Sequence, residues 1–287
     1  MTSSLAPALC AVVGNPIEHS RSPAIHQQFA EQTGIALRYD RILSPLDGFA
    51  RTVREFFDAG GRGLNVTVPF KLEAWELART HLSQRATLAQ AVNTLWTDRG
   101  ALHGCNTDGV GLVQDLQRLA ALNTDTRILL IGAGGAARGV LGPLLDAGCA
   151  RLHVINRTAL RAHDLIAQHQ KVSPVAPHKL TAGGLEDVGS PGTWDLVINS
   201  SSSSLSGETP AVASNLYAKH AWAYDMMYAQ NATPFMLQAQ RDGAAQTSDG
   251  LGMLVGQAAE SFYIWHGVRP DIAPVLASLR AALRSAH

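Results

Sequence analysis

The sequence predicts an α/β protein built from two domains, and three observations carry that prediction. Short apolar runs alternate with helical stretches from residue 9 onward, the pattern of a parallel sheet crossed by helices. At Gly132 a glycine-rich turn separates such a run from a helix, as in a βαβ unit of about 30 residues. The chain has 287 residues, and at about 150 residues per domain this corresponds to roughly two cores.

The elements follow in order. Residues 9–13 read as a strand ending at Gly14-Asn15-Pro16, and 23–33 as a helix stopped by Gly34. Residues 37–43 form a second strand and 46–59 a helix stopped by Gly60-Gly61. The β-branched run 63–68 is a strand closed by Pro69. Runs 91–97 and 101–106 flank Asp98-Arg99-Gly100 and read as a hairpin. A helix over 110–122 leads into the second domain, where strand 127–131, a helix to 147 and strand 151–155 form the βαβ unit. Strands at 196–199 and 222–226 and helices at 234–241, 252–265 and 272–284 complete the reading. The one low-complexity piece is the serine run 200–204.

Composition excludes several classes. Hydrophobic residues make up 46% and charged residues 16% of the chain, which is globular composition. Basic and acidic side chains number 23 each, so the basic excess of a nucleic-acid or anionic-membrane binder is missing. No apolar run reaches the roughly 20 residues of a membrane span. The start has no basic region ahead of its apolar stretch and does not read as a signal peptide. Cys10, Cys105 and Cys149 are few, odd in number and far apart. They predict reduced thiols in a cytoplasmic protein, with no metal site.

Gly132-Ala133-Gly134-Gly135-Ala136-Ala137 fits a dinucleotide-binding turn of the Rossmann type. The first glycine allows the tight turn, the second lets the backbone approach a pyrophosphate, and the small Ala137 lets helix pack on strand. The helix N-terminus then presents N–H groups and positive dipole to the phosphates. An enzyme using NAD carries a carboxylate at the end of the next strand. Here Asn156-Arg157-Thr158 stands instead, and Arg157 suits a 2′-phosphate, which favours NADP. A solvated loop arginine is the alternative.

Polar clusters at 14–22, 65–71, 91–94 and 104–109 lie where strands are predicted to end, the ligand side of an open α/β sheet. Their hydroxyls, amides, ammonium and carboxylate suit a small polyhydroxylated ligand. Lys71 and Asp108 form a candidate proton-transfer pair, with a surface lysine and a helix N-cap as the alternative readings. His19 and His26 either titrate at this site or serve as helix-start and core histidines.

Taken together, the motifs resemble the shikimate dehydrogenase family. The matching pieces are Gly-Asn-Pro-Ile-Glu-His-Ser-Arg-Ser-Pro from Gly14, Asn-Val-Thr-Val-Pro-Phe-Lys ending at Lys71, Ala-Val-Asn-Thr-Leu from Ala91 and Asn-Thr-Asp-Gly-Val-Gly from Asn106. Gly-Ala-Gly-Gly-Ala-Ala-Arg from Gly132, Asn-Arg-Thr from Asn156, Tyr-Asp-Met-Met-Tyr from Tyr224 and Asp-Gly-Leu-Gly-Met-Leu-Val-x-Gln from Asp249 continue the series. The chain departs from the usual pattern at Gln27, Gln90, Ser248 and the serines after Asn199.

The resemblance implies an α/β substrate domain (1–111 with 250–287), a Rossmann-type NADP-binding domain (112–249) and a cleft between them. It implies NADPH-dependent, reversible reduction of 3-dehydroshikimate to shikimate, in chorismate and aromatic amino-acid biosynthesis. Ser20 and Ser22 are then expected to hold the substrate carboxylate. Thr67, Lys71, Asn93, Asp108 and Gln257 would meet the ring hydroxyls with Tyr228 nearby, and Lys71 and Asp108 would be the catalytic pair. Gly132, Ala133, Gly134, Gly135, Ala136, Asn156, Arg157 and Thr158 would bind NADP, with Met226 and Gly250 beside the nicotinamide. The rival readings are a paralogue that also uses quinate or NAD, and a non-catalytic metabolite-binding member. A homodimer is kept open as the assembly; no residue pattern decides it.

Overall fold

A computed structural model describes residues 6–201 and 203–285; the first five residues, on which the reading of the chain start partly rests, and Ser202 of the serine run lie outside it. The chain divides into two units: residues 1–111 with 255–277, and residues 112–254 with 278–287.

Unit one holds β1 (Ala8–Gly14), α1 (Ser22–Thr33), β2 (Leu37–Leu43), α2 (Phe49–Asp58), β3 (Gly63–Val66), α3 (Lys71–Leu77), α4 (Gln84–Ala89), β4 (Thr94–Asp98) and β5 (Ala101–Cys105). Its sheet runs β2-β1-β3-β4-β5. The first three strands are parallel, and the β4–β5 hairpin joins antiparallel, with Thr94 opposite Cys105. Side chains alternate across β1 as strand geometry requires. Ala11 and Val13 pack with Phe49, Val53, Leu64 and Phe70 on one face. The neighbouring Cys10 and Val12 are equally buried. A methyl group at Gly63 would overlap the Trp265 ring at 2.3 Å, so a helix can lie directly on the sheet there only because residue 63 is glycine.

Unit two takes up α5 (Asp108–Arg118) from residue 112, then β6 (Arg127–Ile131), α6 (Gly135–Asp146), β7 (Arg151–Ile155), α7 (Ala159–Val172), β8 (Leu180–Gly183), β9 (Trp194–Asn199), β10 (Tyr217–Asp225), α8 (Pro234–Arg241) and β11 (Gln246–Asp249). Its six strands are all parallel, in the order β11-β10-β9-β6-β7-β8. Counted from β6, this is the 3-2-1-4-5-6 winding of a dinucleotide-binding sheet. Such a sheet is covered on both faces, and β6 shows it. Ile128 and Leu130 join one core with Val140, Leu144 and Leu165, whereas Leu129 and Ile131 join another with Trp194, Phe235 and Ala239.

Helices α9 (Leu251–His266) and α10 (Ile272–Ser285) each contribute residues to both units. The sequence reading assigned all of 250–287 to the first domain, but residues 250–254 and 278–287 group with unit two. The reason is local. Met253 packs in a unit-two core, and Arg280 forms an ion pair with buried Asp249, Nη1 to Oδ2 being 2.8 Å. Among the described residues no helix is long and apolar enough to cross a membrane.

Each sheet has one switch point, where consecutive crossovers diverge: between β1 and β3, and between β6 and β9. Ligands of open α/β sheets bind beyond the carboxyl ends of strands at such points.

Candidate active site

In unit one, β1 delivers the loop 15–21 and β3 delivers Thr67 to the same place. Asn15 N–H donates to the Val68 carbonyl at 3.1 Å and Thr67 N–H to the Val13 carbonyl at 3.0 Å. Gly14 has no room for a side chain, because a Cβ there would stand 2.5 Å from the Thr67 methyl. Ser20 lies in the loop, its carbonyl held by Arg41 through Nη2 at 2.7 Å and Nε at 3.1 Å. Ser22 opens α1, and its N–H faces Ser20 Oγ at 3.3 Å.

Lys71 is the first residue of α3 and Asp108 the first of α5. Lys71 Nζ lies 2.6 Å from Asp108 Oδ2. The other carboxylate oxygen accepts from Asn93 Nδ2 at 2.8 Å. Asp108 therefore does not spend its side chain on capping. Asn106 serves the helix start instead, its Oδ1 accepting the Asp108 N–H at 3.1 Å. Asn93 is buried, and its Oδ1 accepts from the Thr107 N–H at 2.9 Å and Thr94 Oγ1 at 2.9 Å. Gln257 Oε1, from α9, stands 3.4 Å from Thr107 Oγ1 and 3.5 Å from Asn93 Nδ2. Lys71, Asn93, Asp108 and Gln257 are thus joined in one hydrogen-bonded group, while Ser20 and Thr67 occupy the loops after β1 and β3 and Ser22 the start of α1. The ion pair is partly open, with side-chain exposures of 31% for Lys71 and 13% for Asp108, so the ammonium can still be reached by a ligand.

In unit two, β6 is followed by Gly132 at φ +110°, a conformation that favours glycine, and a Cβ there would stand 2.7 Å from Ser200 Oγ. Gly134 precedes α6, and added side chains at Gly134 and Gly135 would meet nothing within 4 Å. The turn is exposed at Gly134, Gly135 and Ala136, with Ala133 half-buried. A cavity of about 440 Å³ adjoins the turn, lined among others by Gly132, Asn156, Arg157, Thr158, Arg161 and Ser201. Asn156 Nδ2 donates to the Thr158 carbonyl at 3.0 Å and shapes the loop, leaving Arg157 and Thr158 exposed. Gly250 lies tight on the Met226 backbone, where a Cβ would be 2.2 Å from the carbonyl oxygen. The segment Met226–Tyr228 follows β10 and is pinned by buried Asp225, whose Oδ1 accepts the Met227 N–H at 3.1 Å. Tyr228 belongs to unit two.

Residues 12–95 match the family described as Shikimate dehydrogenase substrate binding domain, and residues 115–204 match Shikimate / quinate 5-dehydrogenase. Residues 250–280 match Shikimate 5'-dehydrogenase C-terminal domain. A protein of Bordetella petrii named Shikimate dehydrogenase (NADP(+)) is 62% identical over 273 residues, 95% of each chain. The chain belongs to the shikimate dehydrogenase family.

Solved structures with the same fold include an Ael1 enzyme from Pseudomonas putida, 38% identical with a TM-score of 0.86, covering 95% of this chain and 98% of that one. Another is the Thermus thermophilus shikimate 5-dehydrogenase in complex with NADP(H) and shikimate. It is 30% identical with a TM-score of 0.83, covering 96% of this chain and all of that one. Within this family frame the surface around the glycine turn of unit two suits a phosphorylated dinucleotide. The turn residues leave the backbone of Gly134 and Gly135 open to a phosphate, and the cavity beside it is lined by the guanidinium groups of Arg157 and Arg161 and by one carboxylate, Glu208, with none at the end of β7.

Sequence reasoning passed over several residues. Arg161 lines the cavity from the first turn of α7, and its signal was helical spacing from Thr158, the residue that precedes α7. Asn65 sits inside a named cluster but was given no role. Its Nδ2 donates to Ser261 Oγ at 3.0 Å and to the Asn93 carbonyl at 3.2 Å. Ser261, 196 positions away, had no local signal at all.

Of the two histidines left open, His26 is a core residue. It stacks on Tyr39 at 4.3 Å and on Trp265 at 5.4 Å, and neither ring nitrogen meets a hydrogen-bond partner. Burial, then the neighbouring His266, pushes its pKa down to about 3. The unfolded chain, with an ordinary histidine near 6.5, holds the extra proton between those values. Stability therefore rises with pH across that window and is lost as pH falls below about 6.5. His266, lowered to about 4 by burial, acts in the same direction. His26→Phe is expected to remove up to one proton from this linkage, about 1.4 kcal/mol per pH unit at most. Denaturant unfolding from pH 4 to 7 measures the slope, and an unchanged slope would refute the assignment.

Proposed function

We propose that this chain catalyses the reversible NADP-dependent interconversion of shikimate and 3-dehydroshikimate, a step of chorismate and aromatic amino-acid biosynthesis. The observation that carries the reading is the Lys71–Asp108 pair, 2.6 Å apart and surrounded by amide and hydroxyl groups in a chain that aligns with named shikimate dehydrogenases over nearly its full length. A sensor that only bound a metabolite would have no need of an acid–base pair beside the ligand hydroxyls.

In this reading Ser20 and Ser22 hold the carboxylate of the acid. Thr67, Lys71, Asn93, Asp108 and Gln257 meet the ring hydroxyls, and Tyr228 completes the contacts. The glycine turn, Asn156, Arg157 and Thr158 bind NADP, with Met226 and Gly250 at the nicotinamide. When bound, the reduced cofactor supplies the hydride. As the ketone is reduced, negative charge grows on its oxygen. The Lys71 ammonium stabilises that charge and delivers the proton, and Asp108 holds the ammonium in place. In the reverse direction the same pair takes the hydroxyl proton. The three free, buried thiols suit a reducing compartment, and the proposal places the enzyme in the cytoplasm.

The test is nicotinamide absorbance with shikimate or quinate and either oxidised cofactor. The expected outcome is kcat/KM highest for shikimate with NADP+. Preference for quinate or NAD+ would move the chain to a paralogous activity, and ligand binding without turnover would make it a sensor.

A further inference from the structure

Tyr39 stands on β2 with its ring against His26, and its hydroxyl lies 2.7 Å from Asn65 Oδ1. The direction of that hydrogen bond follows from its surroundings. Asn65 Nδ2 faces the backbone carbonyl of Asn93, which can only accept, so the amide nitrogen is on that side and the amide oxygen is turned to Tyr39. Tyr39 must therefore donate. Loss of surrounding water raises the phenol pKa well above its ordinary value, so Tyr39 keeps its proton and remains a donor at working pH.

A continuous run of bonds results. It passes from Tyr39 to Asn65, and then to Ser261 and Thr94, with Nδ2 at 3.0 and 3.3 Å. Thr107 lies 3.3 Å from Ser261 Oγ, and Asn93 Nδ2, which donates to Thr107 Oγ1 at 3.0 Å, also donates to Asp108. The far end of this run is the group proposed to hold ring hydroxyls.

We propose that Tyr39 is a positioning residue which, through Asn65, holds the hydroxyl-binding group of the substrate site in place. The inference rests on the functional reading above. It explains why a hydroxylated ring is retained in an otherwise aromatic stack of His26, Phe29, Phe262 and Trp265, where phenylalanine would pack as well.

Tyr39→Phe keeps the ring on His26 and deletes only the donor. Asn65 Oδ1 then loses its donor, while Nδ2 keeps its bonds to Asn93, Thr94 and Ser261. The expected result is a rise of about tenfold in KM for shikimate, the worth of one good hydrogen bond. The kcat should change by less than about threefold, because Lys71 and Asp108 keep their own contacts. The Kd for NADPH and the thermal midpoint serve as folding controls, and both should hold. A merely structural role would shift the midpoint and leave the KM of the folded fraction unchanged. The second arm is Asn65→Ala. If Tyr39 acts through Asn65, the double variant is no worse than Asn65→Ala alone. An unchanged KM in Tyr39→Phe, a loss confined to kcat, or additive effects in the double variant each overturn the proposal while wild-type turnover leaves the functional reading intact. Absence of wild-type turnover overturns both.

Discussion

Lys71→Ala is expected to lower kcat for shikimate oxidation by about 10²–10⁴, the usual cost of deleting one well-placed acid–base group. Two effects add. The developing charge on the reacting oxygen loses its ammonium, and the Asp108 carboxylate is left with Asn93 as its remaining partner at 2.8 Å. The KM for shikimate should move much less, since Asn93 and Gln257 remain. Folding should survive because the lysine side chain is 31% exposed and a partly exposed ion pair contributes about 1 kcal/mol or less. The backbone of residue 71 keeps its own role, its carbonyl accepting the Val92 N–H at 2.9 Å whatever the side chain. Steady-state kinetics with a parallel measurement of NADP+ affinity decides the matter. A kcat within threefold of wild type, with intact cofactor binding, would show that the amine is not in the chemistry.

The second large effect concerns the cofactor. Arg157→Ala should raise KM for NADPH about tenfold or more while moving KM for NADH by less than twofold. A hydrogen bond between charged groups is worth about 1.5–3 kcal/mol, and the exposed position of Arg157 places it at the low end. Arg161 lines the same cavity from the first turn of α7, so Arg157→Ala/Arg161→Ala should widen the gap between the cofactors further. Added salt should narrow it by screening. Equal losses with both cofactors would remove the 2′-phosphate from the account of these arginines.

Much of the architecture was legible because it is local. Strands β2, β6 and β7 and helix α8 were read at their observed bounds, each being an apolar or amphipathic run closed by a turn residue. Helices α3, α4 and α7 and strands β8 and β11 were not read. Helix α4 has six residues, and its start depends on Ser83 Oγ accepting the Ala86 N–H. β8 and β11 are four-residue strands at the two edges of their sheet, with little apolar pattern of their own. They are strands because β7 and β10 offer them backbone partners. The hairpin strand β4 begins at Thr94 and not at Ala91, since Ala91–Asn93 is occupied in hydrogen bonds to Asn106, Lys71 and Cys105.

The candidate site divides in the same way. Asp108 could be listed from its motif, but whether it capped a helix or faced an amine depended on where α3 came to rest. What the order of residues determined alone was the alternation of elements, the conformation of the Gly132 turn and the choice of a basic loop over an acidic one at the end of β7, because each is settled by side chains within a few positions. What the tertiary structure decided was that Lys71 meets Asp108 across 37 positions and that Asn65 meets Ser261 across 196. Those meetings are set by how helices pack on a sheet, and close packing between distant segments leaves no local trace in the chain.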